Sequence, residues 1–117
     1  MEFNSSLPIY GQIVEVFRRR VVSGEYQPGG RVASVRELAE EFGVNPNTMQ
    51  RALALLEQDG LLRAERTSGR FVTSDADKVA NLKLTLLERE ASRYAGAASE
   101  LGCTKEQALG ALESILQ

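Results

Sequence analysis

The chain has 117 residues, 43% of them hydrophobic and 26% charged, with a net charge of −2; this allows one compact globular domain, or a small domain with an appendage, and argues against disorder. With no histidine and a single cysteine, Cys103, the Ser-His and Cys-His nucleophile pairs, the usual metal-ligand sets and an internal disulfide are excluded. Neither a Gly-rich phosphate loop nor an apolar run of roughly 20 residues is present, so no enzyme, cofactor, metal or membrane span is expected.

The first residues, "MEFNSSLPIY", lack the basic and apolar regions of a secretory signal, which predicts a cytoplasmic protein. In "IYGQIVEVFRRRVVSG", Ile9, Ile13, Val16 and Phe17 fall at helical spacing, Pro8 suits the first turn and Gly24 the stop. Arg18, Arg19 and Arg20 are expected on a solvated helix face rather than on phosphate. "EYQPGG" reads as a turn and "RVA" as a short strand.

Ser34 and Glu37 form a capping box ahead of "VRELAEEFG". Val35, Leu38, Ala39 and Phe42 then make one buried stripe, and Gly43 can close the helix in a left-handed conformation. Only Val44 and Asn45 follow before Pro46 opens the next helix, with Asn45 as its cap. Two helices joined so tightly make a helix-turn-helix. In the second of them Met49, Ala52, Leu53 and Leu56 face the core, while Asn47, Gln50, Arg51, Ala54 and Gln58 lie on the opposite side. That outer face is polar near its N-terminus, where recognition helices meet base edges. Amide side chains read adenine, and arginine reads guanine or grips phosphate.

"GLLRAERTSGRFVT" alternates apolar and polar residues about a turn at Thr67, Ser68 and Gly69, a hairpin that would form a wing. Arg66 and Arg70 flank its tip and suit minor-groove or phosphate contact. Residues 1–72 carry nine basic and nine acidic side chains, and residues 73–117 carry five and seven. Any pull toward nucleic acid must therefore come from local clustering rather than overall charge.

Composition changes after Thr73, so the expected domains are residues 1–73 and 74–117. Ser74 with Asp77 offers a second capping box. Ala80, Leu84, Leu87, Ala91, Tyr94, Ala98 and Leu101 alternate steps of four and three, a coiled-coil-like seam, with Val79, Leu82 and Leu86 as a second stripe. Gly102 stops this helix; Thr104 with Gln107 opens another, whose apolar face includes Leu109, Leu112 and Leu116. Two helices cannot bury this much apolar surface on each other alone, so the seam is expected to be a homodimer interface. The fold class expected is mainly α with a small β-wing: a winged helix-turn-helix plus a C-terminal helical dimerisation tail.

"SVRELAEEFGVNPNTMQRALALLEQDGLL" followed by "SGRFV" resembles the winged helix-turn-helix of the GntR family of bacterial transcriptional regulators, over about residues 9–73. The short tail is similar to the YtrA-type subfamily, whose members carry two C-terminal helices for dimerisation. The resemblance implies a repressor that binds an inverted-repeat double-stranded operator as a homodimer. It implies DNA contacts at Arg36 beside the capping Ser34, at Asn45, Asn47, Thr48 and Gln50 with the adjacent Arg51, and at Ser68, Gly69 and Arg70 on the wing. Two departures stand out: Ala33 replaces the family's usual proline before the serine, and "TSGRFV" has one glycine where "GKGTFV" has two. The tail is too short to enclose a sizeable pocket, so a small-molecule effector, of no identity legible in the sequence, would bind between the tails.

Overall fold

The computed structural model describes residues 2–117. Helix α1 spans Ile9–Val22, α2 Val35–Phe42 and α3 Pro46–Gln58; strands β1 (Leu62–Glu65) and β2 (Gly69–Val72) come next, then α4 (Ala76–Glu100) and α5 (Lys105–Ile115). The strands pair antiparallel, with Leu62 opposite Val72 and Glu65 opposite Gly69. The turn between them is Arg66–Thr67–Ser68, so Gly69, expected within the turn, instead opens β2 at φ +104°. The "RVA" strand shrinks to a single bridge, Arg31 opposite Phe71, flanked by Val32 N–H on the Arg70 carbonyl and Val72 N–H on the Gly30 carbonyl.

The chain divides into two compact units, Met1–Lys83 and Leu84–Gln117. The first therefore extends past the change in composition at Thr73. The reason is packing: Val79 and Leu82, on the opening turns of α4, lie against the front core. The cap of α4 also differs from the expected Ser74–Asp77 box. The Asp75 carboxylate accepts from Lys78 N–H at 3.1 Å, and Thr73 Oγ1 accepts from Asp75 N–H. In the run Thr73-Ser74-Asp75-Ala76-Asp77 several side chains could cap, and Asp75 is the one whose carboxylate reaches the third amide of the helix that starts at Ala76.

The front core is built where the helical stripes meet. Phe17 from α1 and Phe42 from α2 stack with ring centres 5.9 Å apart, and Met49, Leu53 and Leu56 from α3 are fully buried beside them. Leu62 and Val72 bring the inner face of the hairpin into the same cluster. Over the aromatic pair lies Arg20, its guanidinium 5.1 Å from the Phe42 ring and hydrogen-bonded to Glu41 and to the Tyr26 oxygen. Burial lowers the affinity of Arg20 for its proton, but the bonds to Glu41 and Tyr26 outweigh it and the net direction is upward.

In the second unit α5 begins with the expected Thr104–Gln107 capping box. The Tyr94 hydroxyl on α4 donates to the Ala108 carbonyl on α5 at 2.7 Å. Among the described residues no helix is long and apolar enough to cross a membrane.

The Tyr26 phenol carries a pH signature of this packing. Burial pushes its pKa up, more than the Arg20 contact pulls it down. The stability this contributes is complete below the unfolded value of about 10 and is lost as pH rises through the higher folded value. Thermal unfolding monitored from about pH 8 to about pH 12 is expected to show an alkaline loss of stability that is smaller in Tyr26→Phe.

Candidate nucleic-acid interface

The helix-turn-helix forms because each of its ends has a partner. Ser34 Oγ accepts from Glu37 N–H at 3.2 Å while the Glu37 carboxylate receives the Ser34 N–H and hydroxyl. Gly43, at φ +68°, ends α2 in the left-handed region, and Val44 N–H turns back onto the Ala39 carbonyl at 2.9 Å. Asn45 Oδ1 then accepts from Asn47 N–H at 2.7 Å, and Pro46 takes the first helical position.

These caps decide how the expected contact residues are presented. Asn47 and Gln50 stand exposed on the first turns of α3, with Thr48 half-buried beside them and Ala54 and Gln58 exposed further along. Asn45 is exposed and spends its side-chain oxygen on the cap, and Ser34 spends its hydroxyl on the box. Arg36 is exposed and has no ion-pair partner among the described residues. Arg51 lies with its guanidinium 3.9 Å above the Tyr10 ring of α1.

The remaining arginines divide by whether a carboxylate holds them. Arg18 pairs with Asp59 at 2.8 Å, Arg19 with Glu15 at 3.4 Å, and Arg20 with Glu25 and Glu41. All three arginines of the run are thus ion-paired within the chain, Arg18 and Arg20 with side chains only 27% and 21% exposed where a solvated helix face was expected. On the wing, Arg63 pairs with Glu65 and lies over the Phe71 ring. Arg70 Nε meets the Glu57 carboxylate of α3 at 2.6 Å, with the two side chains only 20% and 28% exposed. This pair braces the wing against the recognition helix, a long-range contact of which no local pattern in the sequence gives notice. Arg66, in the turn, is exposed and carries no ion pair among the described residues.

Ser68 is exposed beside Arg66. A Cβ built on Gly69 would lie 3.2 Å from Arg31 Nε, so the guanidinium of Arg31 rests against the glycine. Sequence reasoning places Arg31 only within a strand; the signal is its position one strand beyond β2, visible once the bridge to Phe71 is known. Among the described residues no group of acidic, histidine or cysteine side chains could hold a metal.

Comparison with known proteins agrees with this geometry. The family model for "Bacterial regulatory proteins, gntR family" matches residues 9–72. A GntR family transcriptional regulator from Listeria monocytogenes is 34% identical, with a TM-score of 0.87 over 96% of this chain and 98% of that one. The transcriptional repressor YtrA of Bacillus subtilis is 37% identical over 72% of this chain, which spans 60% of YtrA. The DNA-binding domain of AraR, solved in complex with its operator ORR3, is 32% identical with a TM-score of 0.55, over 62% of this chain and 86% of that one.

The Glu57–Arg70 brace yields a direct test. Glu57→Ala is expected to cost about 1 kcal/mol or less, since both partners retain some solvent. Amide exchange should quicken at Gly69 to Val72 while the α1–α3 core stays protected, as hydrogen-exchange NMR would record.

Proposed function

The chain belongs to the gntR family of bacterial regulatory proteins, and from that premise we propose that it is a repressor that reads an inverted-repeat operator as a homodimer. The observation that carries the DNA-reading part is the first half of α3. Its apolar stripe is fully buried while Asn47 and Gln50 are exposed and uncommitted. Such amides can bond an adenine edge in the major groove, and the positive end of the helix favours an adjacent phosphate. A winged helix used to bind protein would offer an apolar face at this place; here the face is polar. The proposed interface comprises Ser34, Arg36, Asn45, Asn47, Thr48, Gln50 and Arg51 of the helix-turn-helix, with Arg66, Ser68, Gly69 and Arg70 on the wing. Repression is supported by the likeness to YtrA.

The dimer is supported by what the second unit leaves open. Val79, Leu82 and the buried Leu86 are the stripe of α4 that the chain covers itself. Along the other stripe Leu84 is 55% and Leu87 63% exposed, Leu101 still more, with Ala80 and Ala91 exposed and Tyr94 and Ala98 half-covered. Leu87 also borders an apolar groove of about 460 Å³ with Tyr94, Leu109 and Leu112. A second tail laid on this surface would cover both the seam and the groove.

Two outcomes test the proposal. After selection of the preferred site from a random pool, Asn47→Ala or Gln50→Ala is expected to cost roughly 1–3 kcal/mol on that site and almost nothing on random DNA. Equal losses on both would move these residues to the scaffold or the phosphates. Leu84→Glu, at a position exposed in the single chain, should yield a monomer in sedimentation with an intact front unit. It should also lose about 10²-fold or more in operator affinity, because two weak contacts are no longer joined. A monomer that still binds as tightly would sink the dimeric reading.

A further inference from the structure

The wing has its own charge balance, and it does not favour the arginine that the hairpin sequence points to. The bridge sets Arg31 opposite Phe71 and the ladder sets Arg63 opposite Phe71, so these side chains share one face of the hairpin. Arg70, one residue before Phe71, points to the other face and is held by Glu57. Arg63 is neutralised by Glu65. What remains on the wing as uncompensated positive charge is Arg31 and Arg66.

Gly69 explains how Arg31 reaches the tip. Its missing side chain leaves a seat on the outer face, and the Arg31 guanidinium fills it: an added Cβ would stand 3.2 Å from Nε and 3.4 Å from an Nη nitrogen. The glycine also sits at φ +104°, where other residues are strained. The same residue thus opens β2 directly after the turn and leaves room for a cation against its backbone. Arg31 is exposed and has no ion-pair partner among the described residues. An exposed guanidinium resting on the glycine and free of carboxylate is suited to a phosphodiester oxygen.

We propose that Arg31, seated on Gly69, is a DNA-contacting residue that grips a backbone phosphate from the wing. This rests on the reading of the chain as a DNA-binding protein. The contact is independent of sequence, so the operator is not needed to test it. Full-length protein, Arg31→Gln and Arg31→Lys would be titrated onto a random-sequence duplex by fluorescence anisotropy across a range of salt concentrations. Loss of one phosphate contact lowers the slope of log affinity against log salt by about 0.9, equivalent to about eightfold weaker binding near 0.1 M salt. Arg31→Gln is expected to show that loss, and Arg31→Lys, which keeps the charge, to retain the slope. An unchanged slope in Arg31→Gln would overturn the proposal. So would an equal loss in Arg31→Lys, because the effect would then belong to the shape of the wing and not to its charge. If the parent protein itself binds no duplex in a salt-dependent way, the DNA-binding reading fails and this contact falls with it.

Discussion

Between Phe42 and Pro46 the chain has three residues in which to end one helix, reverse direction and begin another. Gly43 makes this feasible by entering the left-handed region, which returns Val44 N–H to the Ala39 carbonyl and leaves Asn45 extended, in the conformation an N-cap requires. Both the front core and the exposed recognition face depend on that reversal. It brings Phe42, at the last turn of α2, and Met49, at the first turns of α3, into one buried cluster against Phe17. It also turns the polar start of α3 outward. A side chain at Gly43 meets no neighbour within 4 Å, so the demand for glycine there comes from backbone conformation and not from lack of space.

A neutral front half can serve as a DNA-binding unit because its arginines are not equivalent. Arg18, Arg19 and Arg20 are each held by a carboxylate, and Arg20 covers the aromatic pair besides. Arg63 and Arg70 fasten the hairpin to itself and to α3. Acidic residues are thus spent on the scaffold, and the positive charge they leave over falls on Arg31, Arg36, Arg51 and Arg66. Overall charge carries none of this, since the two sets cancel in the sum.

The helix-turn-helix is legible in the sequence because each of its features is local. The capping box, the i, i+3, i+4, i+7 stripes, the glycine stop and the proline at the first helical position each lie within one helix or turn, and all have their expected places. The features that are not legible depend on residues far apart in the chain. Glu57 and Arg70 belong to different elements, and the Arg31–Phe71 bridge joins segments forty residues apart. The opening of α4 departs from expectation for a different reason. Thr73, Ser74, Asp75 and Asp77 are all competent caps, so local pattern does not choose among them, and the one that acts, Asp75, precedes a first turn from which Val79 and Leu82 follow onto the core.

The same packing assigns different work to the two ends of α3. At its C-terminus Asp59 is held twice, its carboxylate by Arg18 of α1 and its carbonyl by Lys78 Nζ of α4 at 2.9 Å. Lys78 lies so close to Gly60 that an added Cβ there would be 3.0 Å from its amine. A cation at this end also complements the helix dipole. The last turn of α3 is therefore committed to holding the helix in the front unit, and it is crossed by the brace from Glu57 to the wing. The first turn has no such ties beyond its own cap. Along α3 the exposed side chains that the fold leaves uncommitted are thus at its start, at Asn47 and Gln50. Lys78, in the first turn of α4, is thus also one of the anchors of the recognition helix.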